Sequence, residues 1–94
     1  MTKNQAKEAF KREHEKFCWF RSLSIWDGER IRNHFTRKEV ILHEMLYEEV
    51  FYLWDDENVK RALTYIQEVF PDVTEEEMRK VYEESSEIVT AVYG

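Results

Sequence analysis

The chain has little of what makes turns or cross-links a fold: two glycines, one proline and one cysteine in 94 residues. Glycine and proline supply the turns of hairpins and long loops, so their scarcity argues for helices joined by short connections. The single cysteine, Cys18, excludes an internal disulfide and suits a reducing compartment. Long apolar runs are also missing. The longest uncharged apolar stretch near the middle is Val50 to Trp54, far short of the ~20 residues needed to span a bilayer. Thr2-Lys3-Asn4-Gln5 is polar and contains no secretory apolar segment. The expectation is a cytoplasmic protein with no membrane partner.

Apolar content is 43%, with six Phe, five Tyr and three Trp, which places the chain among globular proteins and not disordered ones. The length suits one domain, residues 1–94. So many aromatics supply a core, and they strain the capacity of so short a chain to hide them. Charge is unevenly divided. Residues 1–43 carry ten Lys/Arg against six Asp/Glu, a net of +4, and residues 44–94 carry four against fourteen, a net of −10. Such a division bears on partners and association, not on fold.

The apolar spacing predicts an all-α bundle of about four helices, near 4–21, 37–54, 57–70 and 75–92. In the first, Ala6, Ala9, Phe10, His14, Phe17, Cys18 and Phe20 fall on one side, Lys7, Lys11, Arg12, Glu15 and Lys16 on the other, and Trp19 lies off the apolar side. Thr2 and Gln5 form a candidate capping box. Residues 22–36 are expected to be irregular or to hold an extra short helix. Asp27-Gly28 is a hairpin signal, but the pairing it implies sets Leu23 against Arg32 and Ile25 against Arg30 and leaves no apolar face. Thr36 to Glu39 is a capping box that opens a helix apolar almost all round. Its only polar stripe is Glu44/Glu48, and a helix like that is buried on several sides or half of a dimer interface. Val59, Ala62, Leu63, Ile66, Val69 and Phe70 mark the next helix, which Pro71 ends. Thr74 to Glu77 is a further capping box, with Val73 and Met78 at the staple positions. Met78, Val81, Tyr82, Ser85, Ile88, Val89 and Val92 share one face of the last helix.

Catalytic and metal motifs are lacking. His43-Glu44 starts like a zinc-protease helix, but Tyr47 stands where the second His is required. No His has a Glu three residues before it, so no di-iron set is built. His14 and His43 suit hydrogen-bonded structural roles, although His14, one turn from Cys18, offers a route to a lowered thiol pKa. Neither an enzyme nor a cofactor is expected.

Two surfaces carry the functional reading. Lys7, Lys11, Arg12 and Lys16, with Arg30 and Arg32 beyond, are a candidate nucleic-acid interface, since basic groups with interleaved aromatics grip phosphates and stack bases. The acids divide by local cause. Glu75, Glu76 and Glu77 favour a helix N-terminus, and Glu75–Arg79 and Glu76–Lys80 are favourable i, i+4 pairs. Glu44, Glu48, Glu49, Glu83, Glu84 and Glu87 have no such local gain. Charges that break local rules without return point to a partner.

Val69-Phe70-Pro71-Asp72-Val73-Thr74-Glu75-Glu76, with Met78, Val81, Ile88 and Val92, resembles part of a CUE ubiquitin-binding domain. Val69 replaces that family's Met, and the glycine-bearing turn and Leu-Leu pair have no counterpart. A helix end, proline, staple and capping box produce the same pattern without kinship, so no ligand is carried over.

The expected function is a small acidic protein-binding module, a regulator or inhibitor that occupies a partner protein's surface. It shares a general style with small acidic phage proteins that modulate host or defence machinery. One version is a nucleic-acid mimic in which the six acids imitate a phosphate row. The alternatives are nucleic-acid binding through the basic front half and a structural homodimer.

Overall fold

The computed structural model describes residues 2–23 and 28–93. The hairpin signal at Asp27 and its neighbours from Ser24 onward lies outside the described residues. Among the described residues five helices follow in order: α1 Lys3–Ser22, α2 Gly28–His34, α3 Arg37–Tyr47, α4 Asp56–Val69 and α5 Glu75–Tyr93. The expected all-α class holds, and α2 is the extra short helix allowed for in 22–36.

Local sequence sets most boundaries. Thr2 and Gln5 cap α1 reciprocally, and Thr36 and Glu39 do the same for α3. Asp55 opens α4 by accepting the Glu57 N–H at 2.8 Å. Each cap satisfies amides that the first turn leaves without partners. At α5 the Thr74 hydroxyl accepts from the Glu77 N–H, but the expected box is only half made. The Glu77 carboxylate turns to the Arg37 guanidinium, with both contacts at 2.7 Å. Arg37 also reaches Asp72 at 2.8 Å, so one residue in the first turn of α3 holds the α4–α5 connection and the start of α5. These bonds keep both carboxyls below the usual carboxylate range.

Helix α3 is the centre. Its residues Val40 to Leu46 are all buried, His43 and Glu44 included. It packs against α1, α4 and α5, while α2 covers α4 and α1 meets α5. Phe17, Ile31, Phe35, Val50, Val59, Ala62, Tyr65, Ile66, Val69, Val73, Met78, Val81 and Val89 complete the core. The staple pair Val73 and Met78 is fully buried, and α4 ends at Val69, just before Phe70-Pro71. Arg32 of α2 donates to the Val69 carbonyl at 2.8 Å, placing a cation where the helix dipole favours one.

The expected helix over 37–54 is cut short. It stops at Tyr47 because Glu49 takes the left-handed conformation, with φ 62°. The Val50 N–H then bonds the Met45 carbonyl at 2.8 Å, and the Glu49 N–H bonds the Leu46 carbonyl at 3.1 Å. This is a Schellman ending, with Val50 and Met45 buried as its apolar contact. Glycine normally marks such a stop, and here a glutamate sits in its place.

A side chain with a Cβ is strained at positive φ, and glycine is not. The Glu49→Gly variant is therefore expected to be more stable than the parent by about 0.5–1 kcal/mol, read as a rise in denaturation midpoint with unchanged helix content. A loss of stability would show that the turn does not depend on that backbone conformation.

Candidate functional site

The six acids singled out from sequence have three different fates. Glu44 is fully buried, and its Oε1 accepts from Arg21 Nε at 3.1 Å. Glu48 is nearly buried between Arg61 Nε at 2.9 Å and Arg21 at 3.8 Å. Glu84 pairs with Lys38 Nζ at 3.1 Å. Glu49, Glu83 and Glu87 are exposed and hold no ion pair among the described residues. The six therefore do not form one displayed row. Glu44 is removed from the surface altogether, and Glu48 and Glu84 are engaged at separate places in the fold.

The basic candidates are dispersed in the same way. On α1, at 100° per residue, Lys7 and Lys11 fall on one flank and Arg12 and Lys16 on the other. Exposed Glu8 and Glu15 lie between the two pairs. Arg30 is exposed, and Arg32 is engaged at the end of α4. The i, i+4 pairs expected at Glu75–Arg79 and Glu76–Lys80 are not made among the described residues. Arg79 lies instead over the Trp54 ring, 4.0 Å from its centroid.

The interior holds two polar clusters. In the first, Arg21 sits between the rings of Tyr65 and Tyr47, 4.0 and 4.8 Å from their centroids, while it bonds Glu44. Oε2 of Glu44 is buried without a hydrogen-bond partner. Burial outweighs the pull of Arg21 and pushes the Glu44 carboxyl up to about 8. In the second, His14 Nδ1 lies 3.1 Å from His43 Nδ1, and Cys18 Sγ lies 3.5 Å from His14 Nε2. One proton sits between the two Nδ1 atoms, so one ring donates and the other accepts. Burial lowers both histidines, His43 to about 3, with His14 adding to its shift. Burial also raises the Cys18 thiol, with help from Glu44 and Glu15. The lowered thiol pKa that His14 offered on paper is reversed, and Cys18 lacks an activated nucleophile's character. Among the described residues no group of three or more His, Cys, Asp or Glu is placed to hold a metal ion. No described helix is long and apolar enough to cross a membrane.

A surface feature that the motifs did not indicate lies where the α3–α4 connection meets α5. Phe51, Tyr52, Tyr82, Ser86, Val89, Thr90 and Tyr93 line a groove of about 160 Å³. Phe51 stacks on Tyr82, with centroids 4.9 Å apart, and Trp54 meets Tyr82 edge-on at 5.1 Å. Tyr52 is 66% exposed and Leu53 61%. Glu49 heads the turn that carries Phe51 and Tyr52, and Glu83 and Glu87 sit one turn apart beside Ser86 and Thr90. Of the three acids left unpaired, Glu83 and Glu87 thus border the groove, and Glu49 opens the turn that supplies two of its residues. The signal in sequence was the surplus of aromatics, which gave no position.

Compared with protein-family models, with curated proteins and with solved structures, the chain matches none. The CUE-like segment remains a local likeness of helix end, proline and cap.

The two buried clusters oppose one another in pH. Folded Glu44 keeps its proton to about pH 8, whereas its ordinary pKa is 4.5, so Glu44 makes stability fall as pH rises through that interval. His43 protonates near 6.5 when unfolded and at about 3 when folded, so stability falls as pH drops below 6.5, with His14 acting in the same direction. The expected profile is a maximum near pH 6.5, where the histidine limb ends, with a decline from there toward pH 8 limited to about 1.4 kcal/mol per pH unit. In Glu44→Gln the alkaline decline should largely vanish while the acid limb stays. Denaturant titrations across pH 5–9 check this, and a parental slope retained in the variant would remove Glu44 as its source.

Proposed function

We propose that this chain is a small acidic protein-binding module, a regulator or inhibitor that works by occupying a partner protein's surface. The observation that carries the reading is the aromatic groove with its unpaired acidic border. A groove of about 160 Å³ is small beside the ~300–1,000 Å³ of small-molecule sites, and about the size of a cavity that holds one benzene ring. It suits a single side chain from a protein surface. Tyrosines are favoured at such interfaces because they bury a large ring and keep a polar end. Glu49, Glu83 and Glu87 favour a basic surface around that side chain.

The mimicry version narrows to these three acids, since Glu44 has no surface and Glu48 and Glu84 have cations of their own. Nucleic-acid binding through the front half has less support, because Glu8 and Glu15 divide its basic residues. In this reading the chain needs no chemistry of its own, consistent with a Cys18 thiol raised rather than lowered.

The test is capture of a partner from the native host, then titration of the purified partner with wild type and variants. Tyr52→Ala and the triple change Glu49→Lys, Glu83→Lys, Glu87→Lys should each weaken binding about tenfold or more, and the wild-type affinity should fall with salt. Binding indifferent to both variants would move the site elsewhere on the molecule. A low-salt nucleic-acid gel shift abolished by reversing Lys7, Lys11, Arg12 and Lys16 would replace the proposal with the alternative.

A further inference from the structure

The groove has a chemical match elsewhere on the same chain. Trp19 is 61% exposed on the outer face of α1, where its indole touches only the edge of Phe20 among the described rings, at 5.1 Å. Arg12 and Lys16 precede it by seven and three residues, so the three form one stripe along the helix. Arg12 and Lys16 are exposed and hold no ion pair among the described residues, although Lys16 Nζ lies 5.8 Å from the Phe35 ring centroid. Across from them in chemistry, Glu83 and Glu87 are also four residues apart on one helix, unpaired and exposed, with groove residue Thr90 three residues further on.

We infer that the groove receives Trp19 of a second copy of this chain, with α1 of one copy lying parallel to α5 of the next. The register follows from the spacings. Arg12 faces Glu83, Lys16 faces Glu87, and Trp19 reaches the groove at Ser86, Thr90 and Tyr93. Like charges at i, i+4 destabilise an isolated helix, and this contact relieves the Glu83/Glu87 pair. The aromatic walls give the indole stacking partners in Phe51 and Tyr52, and Trp is the residue type most often found as the anchor of an interface. The contact joins two different surfaces of the chain. Made once it propagates into rings or open chains, and made twice between the same two copies it closes as a two-fold dimer.

The inference rests on the same groove as the proposed function, and α1 variants separate the two. Trp19→Ala and Arg12→Glu/Lys16→Glu leave the groove intact, so they remove self-association without touching capture of another partner, whereas Glu83→Lys/Glu87→Lys affects both. Sedimentation velocity from micromolar to millimolar protein at low salt should show the wild-type coefficient climbing with concentration and falling back when salt is added. Trp19→Ala should shift that climb to about tenfold higher concentration or beyond, with unchanged far-UV dichroism showing that the exposed residue is not needed for folding. The two charge-reversed proteins should each stay monomeric alone and associate when mixed, because every contact in the mixture is again between opposite charges. A wild type that is monomeric at all concentrations, or one whose association ignores both Trp19 and the charge reversals, would overturn the inference.

Discussion

Seven consecutive residues of α3 are hidden from solvent, and hiding the whole circumference of a helix requires neighbours on every side. Most of this fold follows from supplying them within 94 residues. The requirement is sharpened by the two polar members of the run. His43 and Glu44 project from adjacent positions, so they face different neighbours, and each needs a partner at a fixed height. Helix α1 brings both, His14 for one and Arg21 for the other, seven residues and two turns apart. That spacing fixes the rotation of α1 on α3. The rotation in turn leaves Trp19 facing out and Phe17 facing in. At the other end of α3, Arg37 and Lys38 fix α5 through Glu77 and Glu84. Polar contacts around α3 thus set the orientation of helices whose burial is driven by apolar area.

Much of the helical framework was legible because its signals are local. Capping residues precede α1, α3, α4 and α5, Pro71 closes α4, and the apolar faces of α4 and α5 repeat at helical spacing. The end of α3 was not legible. Its stop is a backbone conformation at Glu49, a residue with no turn preference, whose cost is met by the burial of Val50 and Met45 behind it. The pairings that decide the acidic residues were also out of reach, because Arg21–Glu44 and His14–His43 join positions 23 and 29 residues apart. An i, i+4 rule sees Glu44 and Glu48 as a repulsive pair, and the fold places Arg21 against both and Arg61 against Glu48.

The charge division between the two halves of the sequence takes on a different meaning in three dimensions. Part of it is structural, since Arg21, Arg37 and Lys38 of the front half meet Glu44, Glu48, Asp72, Glu77 and Glu84 of the back half. These bridges join elements distant in sequence. The exposed ones among them contribute little each, and their main effect is on which faces meet. Among the charges without an ion pair, Glu83 and Glu87 lie beside the aromatic groove, and Arg12 and Lys16 share a helix face with Trp19.

The row Cys18, His14, His43 has a further consequence. Each ring nitrogen in it can give or receive, but not both, and the choices are linked. If the thiol donates to His14 Nε2, then His14 must donate from Nδ1 and His43 must accept. If His43 donates, the order runs the other way and ends on sulfur. The row therefore has a direction, and it can reverse only as a whole. Each neutral arrangement is written in the positions of three protons at once, so exchanging any one of the three side chains changes what the other two can donate or accept.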